Sequence, residues 1–225
     1  MTFSDTRPPG IKERVKRVLL QSPLFGMYLS YRHHASHARA LRAWEASGGP
    51  AGEPPPHPIK QRVVREYGAR FGLMTLIETG TYMGDMVYAM RRDFTRIISI
   101  ELSPLLAAQV GRYFAREPHI TILQGDSGQL IPGIVAGLTA PALFWLDGHY
   151  SHGVTARGAQ DTPILQELTA ILADTRFDHC LLLDDARAFG DWQDYPTLDA
   201  VRALVHAHHP AWTVAVDSDI IRITP

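Results

Sequence analysis

Leu73-Met74-Thr75-Leu76-Ile77-Glu78-Thr79-Gly80-Thr81-Tyr82-Met83-Gly84 decides how the rest of the chain is read. A short apolar run ends on an acid, then passes into a loop with glycines four residues apart. The spacing predicts a buried strand near Leu73–Glu78, a tight turn at Gly80, and a helix over Gly84–Arg92. Four more runs repeat the pattern. Ile97-Ile98-Ser99-Ile100 runs into Glu101, and Ile120-Thr121-Ile122-Leu123 is followed by Gly125-Asp126. Leu143-Phe144-Trp145-Leu146 ends at Asp147, and Leu181-Leu182-Leu183 at Asp184-Asp185. If the five runs are parallel strands of one sheet, their carboxylates gather along its carboxyl edge, where open α/β sheets bind ligands. Such an edge suits a ligand carrying hydroxyls and positive charge, or a metal ion.

Helices are expected between the strands, at Pro104–Arg116, Ser127–Gly137, Thr162–Leu172 and Thr197–His206, and repeated βα units argue for a parallel sheet covered on both faces. Trp212–Val216 and Ile220–Ile223, separated by Asp217-Ser218-Asp219, read as a closing antiparallel hairpin. The expected fold is therefore α/β: a Rossmann-like, seven-stranded, mostly parallel sheet with helices on both faces and a C-terminal antiparallel hairpin. A helical N-terminal extension precedes it. Ile11–Leu20 reads as a basic amphipathic helix and Met27–Ala46 as a second helix. Gly48-Gly49-Pro50 and Pro54-Pro55-Pro56 make Ser47–Pro58 a linker. Ile59–Phe71 is helical again. This divides the chain into a basic extension with its linker, 1–58, and a main domain, 59–225.

At 225 residues the chain can bury one sizeable core. Its 45% hydrophobic and 20% charged content is that of an ordinary globular protein. No apolar run has the length of a membrane span, and Met1–Gly10 lacks the apolar stretch of a secretory signal, so a cytoplasmic protein is expected. Cys180 is the only cysteine, which excludes a disulfide framework and a thiolate metal cluster. The net charge of -1 conceals an asymmetry: up to Arg70 there are 12 Lys+Arg against 5 Asp+Glu, and beyond it 10 against 18. The acidic body argues against nucleic acid as a partner. The basic extension suits a lid, an anionic surface or, more plainly, packing against the same chain or a second copy in a homo-oligomer.

Glu78-Thr79-Gly80-Thr81-Tyr82-Met83-Gly84 resembles the first motif of S-adenosylmethionine-dependent methyltransferases, acid-x-Gly-x-x-x-Gly. The resemblance spans about Leu73 to the C-terminus, and its nearest branch is the metal-dependent O-methyltransferases that act on macrolide sugars. It implies S-adenosylmethionine held by Glu78, Gly80, Thr81, Tyr82 and Gly84, with the helix beginning near Gly84 facing the methionine carboxylate. Relatives often carry a second glycine where this chain has Tyr82. Glu101 matches the family's acid that binds both ribose hydroxyls, a role suited to a group accepting two hydrogen bonds at once. Asp126 and Ser127 match the segment flanking the adenine, although Ser127 also reads as a helix cap.

In the metal-dependent branch, the positions of Asp147, Asp184 and Asp185 hold a divalent cation, and an all-oxygen set favours Mg²⁺. The competing reading has Asp185 capping a turn and Asp184 paired with Arg187. His149, two residues beyond Asp147, is in place to act as general base for an acceptor hydroxyl, as a metal ligand, or as a plain surface histidine, with His152 in reserve. Asp147 is thus a candidate for catalysis, cofactor binding and metal binding alike. The loops Gly148–Asp161 and Ala186–Pro196 carry Arg157, Arg187, Trp192 and Tyr195, which would either line an acceptor pocket or anchor the loops.

The implied activity is O-methylation of a small-molecule hydroxyl, a sugar among the candidates. A catalytically inactive S-adenosylmethionine-binding module is the alternative. A nicotinamide-dependent oxidoreductase ranks lower, because Gly-x-Gly-x-x-Gly is absent. An iron hydroxylase using Asp147 and His149 ranks lower still, because the alternation is βα.

Overall fold

The computed structural model describes residues 22, 24–48, 54–148, 163–191 and 195–225. Its sheet has seven strands: β1 (Thr75–Thr79), β2 (Arg96–Glu101), β3 (Ile120–Gln124), β4 (Leu143–Leu146), β5 (Cys180–Leu183), β6 (Thr213–Asp217) and β7 (Ile220–Thr224). They lie in the order β3-β2-β1-β4-β5-β7-β6. The first five are parallel, and β7 inserts antiparallel between β5 and β6. An all-parallel dinucleotide sheet, ordered 3-2-1-4-5-6, has no such inserted strand, which tells against the oxidoreductase reading.

Among the described residues the helices are α1 (Phe25–Tyr31), α2 (His37–Ala46), α3 (His57–Arg70), α4 (Asp85–Met90), α5 (Pro104–Tyr113), α6 (Ser127–Ala136), α7 (Ile164–Leu172) and α8 (Leu198–His208). A π-helical turn, Arg32–Ser36, joins α1 to α2 without a break. None is long and apolar enough to cross a membrane.

Strand side chains alternate between two cores, as the two-residue period of a strand requires. Leu76, Leu143, Trp145 and Leu182 pack on one face with Val63, Val64, Met86, Leu106 and Val110 of α3, α4 and α5. Ile77, Phe144, Leu146, Leu181 and Leu183 pack on the other with Ile131, Leu168, Ile171 and Val201 of α6, α7 and α8. Cys180 is buried. Phe25 and Leu29 of α1 join the first of these cores, so the extension packs into the body it precedes.

One boundary differs from expectation for an identifiable reason. The linker was expected to reach Pro58, but α3 begins at His57 with a proline inside its first turn. Proline is harmless there, because its missing N–H would have had no partner. The hairpin turn is tight because Ser218 and Asp219 both take left-handed conformations, with φ of 54° and 61°. Such a turn matches the twist of the flanking strands. The expected basic helix at Ile11–Leu20 lies outside the described residues.

Candidate functional site at the carboxyl edge of the sheet

Strand order reverses between β1 and β4, the neighbours at the centre of the sheet. Backbone pairing continues one residue past the strands there: Asp147 N–H donates to Thr79 O (3.1 Å) and Asp184 N–H to Leu146 O (3.0 Å). Gly80 N–H and Thr81 N–H both donate to Ile100 O, at 2.9 and 3.1 Å. The glycine loop is thereby drawn across the ends of β1, β2 and β4. Gly80 has φ of 84°, and a Cβ on it would come within 2.3 Å of Asp147 O. Only a residue without a side chain lets the two loops meet.

Tyr82 takes φ of 48°, a conformation costly for a bulky residue. What holds it is Glu101, whose Oε2 accepts from Tyr82 N–H (2.7 Å) while Oε1 accepts from Ser103 N–H (2.8 Å). Burial pushes the Glu101 carboxyl up to about 7 despite the Ser103 hydrogen bond. Beneath the loop, Glu78 accepts from Ser99 Oγ, and Ser99 Oγ lies 2.5 Å from Thr81 Oγ1. Burial drives the Glu78 carboxyl well above its usual range, and through Ser99 it props the loop from beneath.

The helix expected to face a carboxylate is short. α4 has six residues, and Asp85 in its first turn is buried. Arg32 grips Asp85 with Nε at 3.0 and 2.7 Å, while His33 Nε2 lies 3.1 Å away and His37 Nε2 3.5 Å. Burial works against ionisation, but the His33 and Arg32 contacts hold the Asp85 carboxyl well below its usual range. The Arg32 guanidinium also lies 5.6 Å from the centre of the Tyr82 ring. None of Arg32, His33, His37 and Asp85 was identified from the sequence. The π turn carries Arg32 and His33 toward Asp85, and no local spacing announces it.

Asp126 rather than Ser127 caps α6, its Oδ1 accepting from Gly128 N–H at 2.9 Å. Ser127 is buried beside Glu167 of α7. Burial pushes the Glu167 carboxyl up to about 7, against the Ser127 and Thr79 hydroxyls beside it. Glu167 Oε1 and Thr79 Oγ1 are buried with no hydrogen-bond partner among the described residues. A Cβ on Gly148 would meet both, at 3.3 and 3.0 Å. The sequence does carry a signal for Glu167: a carboxylate on the apolar stripe formed by Ile164, Leu168 and Ile171.

The expected cation site is arranged differently. Asp184 Oδ1 accepts from Asp185 N–H (2.9 Å), and Oδ2 holds the Lys60 ammonium at 2.5 Å. Lys60 Nζ is 3.9 Å from Asp185 Oδ1, which pairs with Arg187 at 2.9 Å; Arg187 also pairs with Asp219. Burial lowers the Lys60 pKa, but Asp184, Asp147 and Asp185 outweigh it and keep the ammonium charged. Among the described residues no group of three His, Cys, Asp or Glu is arranged to hold a metal ion. Burial and Asp147 push the Asp184 carboxyl up to about 8 against the Lys60 contact, and with Lys60 seated on Asp184 and Arg187 on Asp185 the donors at 184 and 185 do not fit Mg²⁺. Asp184 pairs with Lys60, not with Arg187 as the competing reading had it. Asp185 makes no side-chain cap, although it stands before the turn Ala186–Ala188 with φ of 55°.

Tyr195 packs edge-on against Phe189, and Arg187 is held by its two acids, so both serve as anchors of the loop after β5. His149, His152, Arg157 and Trp192 lie outside the described residues.

Comparison with known proteins gives one kind of match. Neither a protein-family model nor a curated protein matches the sequence. Among solved structures, the chain is similar to an O-methyltransferase from Bacillus cereus in complex with SAH (15% identity, TM-score 0.52, covering 85% of this chain and 91% of that one). It is similar to the SAH-bound methyltransferase PaMTH1 of Podospora anserina (14%, TM-score 0.52, 98% and 99%). It is also similar to the O-methyltransferase TomG of Streptomyces achromogenes in complex with SAM (16%, TM-score 0.50, 84% and 88%). At these identities the likenesses establish the fold, and the chain is built on the Rossmann-like sheet of the methyltransferases.

Proposed function

We propose that the protein is an S-adenosylmethionine-dependent O-methyltransferase acting on a hydroxyl of a small molecule, with a sugar as the acceptor class that an acidic edge suits. The observation that carries this reading is the glycine loop at the reversal of strand order, pressed against Asp147 at Gly80 and tied to Glu101 at Tyr82. A cradle that a single Cβ would fill, with a carboxylate below it, fits the cofactor. Gly80, Thr81, Tyr82 and Gly84 would form the cradle, and Glu78 would prop it from below. Glu101 would accept the ribose hydroxyls, since each oxygen keeps a lone pair beyond its backbone bond. Asp126 and Ser127 would border the adenine. Asp147 would close the crevice from the β4 side.

When bound, the cofactor supplies a methyl group on a sulfonium already activated for in-line displacement. The chain has to align the acceptor oxygen and receive its proton. Alignment alone can be worth roughly 7–11 kcal/mol when the reacting atoms are well placed. His149 is proposed as the proton acceptor, with Asp147 two residues before it in the sequence. The divalent ion expected from the sequence is left out of this mechanism, because Lys60 and Arg187 already balance its donors. Exposed Leu24, Met27 and Tyr31 on and beside α1 support association of copies through the N-terminal helices.

The test is release of S-adenosylhomocysteine from S-adenosylmethionine across a panel of diol acceptors. Acceptor-dependent release supports the proposal. Tight cofactor binding with no release on any diol would favour the inactive binding module instead.

A further inference from the structure

Lys60 is one of three lysines in the chain, the others being Lys12 and Lys16. Its surroundings are unusual for a lysine. It lies in the first turn of α3, where the helix dipole disfavours a cation. Its side chain is 11% exposed, and lysine is almost never buried unless paired. Ile59, Val63 and Val64 are buried in the same helix and fix which way this face points. The ammonium meets Asp184, 124 positions away in the chain, at 2.5 Å and reaches Asp185 at 3.9 Å. With Arg187 on Asp185, the pair receives from side chains the two positive charges that a divalent ion would bring.

We infer that Lys60 is the resident cation of the acceptor side: it stands on Asp184 where a metal would sit, closes that carboxylate pair to divalent ions, and supplies the fixed positive charge of the site. The inference rests on the proposed methyl transfer for its catalytic meaning, but the occupancy of the pair by Lys60 is testable without turnover. A built-in ammonium carries three donors on a flexible stem. It can hold an acceptor oxygen in place without the coordination geometry that a metal imposes. Methyl transfer by this chain then needs no added metal, and diol chelation is not what selects the acceptor.

The experiment compares Mn²⁺ binding, read by electron paramagnetic resonance, in the wild type and in Lys60→Met, which keeps the length of the stem. S-adenosylhomocysteine affinity is measured by calorimetry on the same samples. The expected result is no Mn²⁺ bound at millimolar concentration by the wild type and binding by Lys60→Met, with binding abolished again by Asp184→Asn in that background. Wild-type turnover should be unchanged by chelation, while added Mg²⁺ should restore turnover to Lys60→Met alone. Should Lys60→Met fail to fold, the wild-type arms still decide. Mn²⁺ binding by the wild type, or loss of its turnover on chelation with recovery by Mg²⁺, overturns the inference. A folded Lys60→Met that binds no Mn²⁺ overturns it too. Absence of S-adenosylhomocysteine binding would instead remove the methyltransferase reading, while the Mn²⁺ comparison would still report on Lys60.

Discussion

The two halves of the carboxyl edge both bury acidic side chains and hold them by different means. On the β1–β2 side, Glu78 and Glu101 are buried without a cation among their hydrogen-bond partners, and burial raises both pKa values. Their oxygens are engaged by a hydroxyl and by backbone N–H groups of the glycine loop and of the turn after β2. On the β4–β5 side, Asp184 and Asp185 are matched by Lys60 and Arg187. Backbone-bound carboxylates keep a loop's shape for a ligand that brings hydroxyls. Ion-paired carboxylates position cations, whose charge is then available to a reacting oxygen. Acids at successive strand ends therefore mark the ligand edge without saying which of these tasks each performs.

That contrast can be broken by substitution. The largest effect is expected from His149→Ala, which should lower kcat about 10²–10⁴-fold, the usual worth of a general base. S-adenosylhomocysteine affinity should stay unchanged; an equal loss of binding would merge the two halves. Next comes Asp184→Ala, which strands the buried Lys60 ammonium and should cost about 3–5 kcal/mol of stability, read as a fall in denaturation midpoint. A midpoint matching the wild type would mean that the pair is not buried as described. Glu101→Gln should then weaken S-adenosylhomocysteine by roughly tenfold, because an amide presents N–H to a backbone donor that needs an acceptor. Unchanged calorimetric affinity would remove Glu101 from the cofactor half.

The smallest effect is a pH slope. The folded chain keeps the Glu101 proton up to about 7, whereas the unfolded chain releases it near 4.5. Between those values the folded state binds more protons, so stability falls as pH rises. Glu167 behaves the same way, with its carboxyl raised by burial to about 7. His57, lowered by burial to about 4 from 6.5, opposes this trend, so the test is a difference: from pH 4.5 to 7.5 the midpoint of Glu101→Gln should decline less than that of the wild type. A variant midpoint that tracks the wild type across that window would contradict the burial of Glu101.

Much of this architecture is legible in the sequence because it is local. The seven strands, their acids and the Ser218-Asp219 turn follow from apolar runs and turn chemistry, and the structure shifts their ends by only a residue or two. Asp126 and Ser127 were found together, but the helix cap falls to Asp126 and not to Ser127, since either residue type can cap a helix. What stayed hidden is long-range. Lys60 meets Asp184 from another part of the chain, and Arg32 meets Asp85 across 53 positions through a π turn. Lys60 and Glu167 did leave a trace, each being a charged residue on the buried stripe of an amphipathic helix. Such a residue is expensive to bury alone and so implies a partner.

Calorimetric titration of the wild-type chain with S-adenosylhomocysteine, in the presence of a chelator, tests the central claim most directly. The account predicts micromolar binding that chelation leaves untouched and that Gly80→Ala abolishes. No binding by the folded wild type, with or without divalent ions, would contradict it.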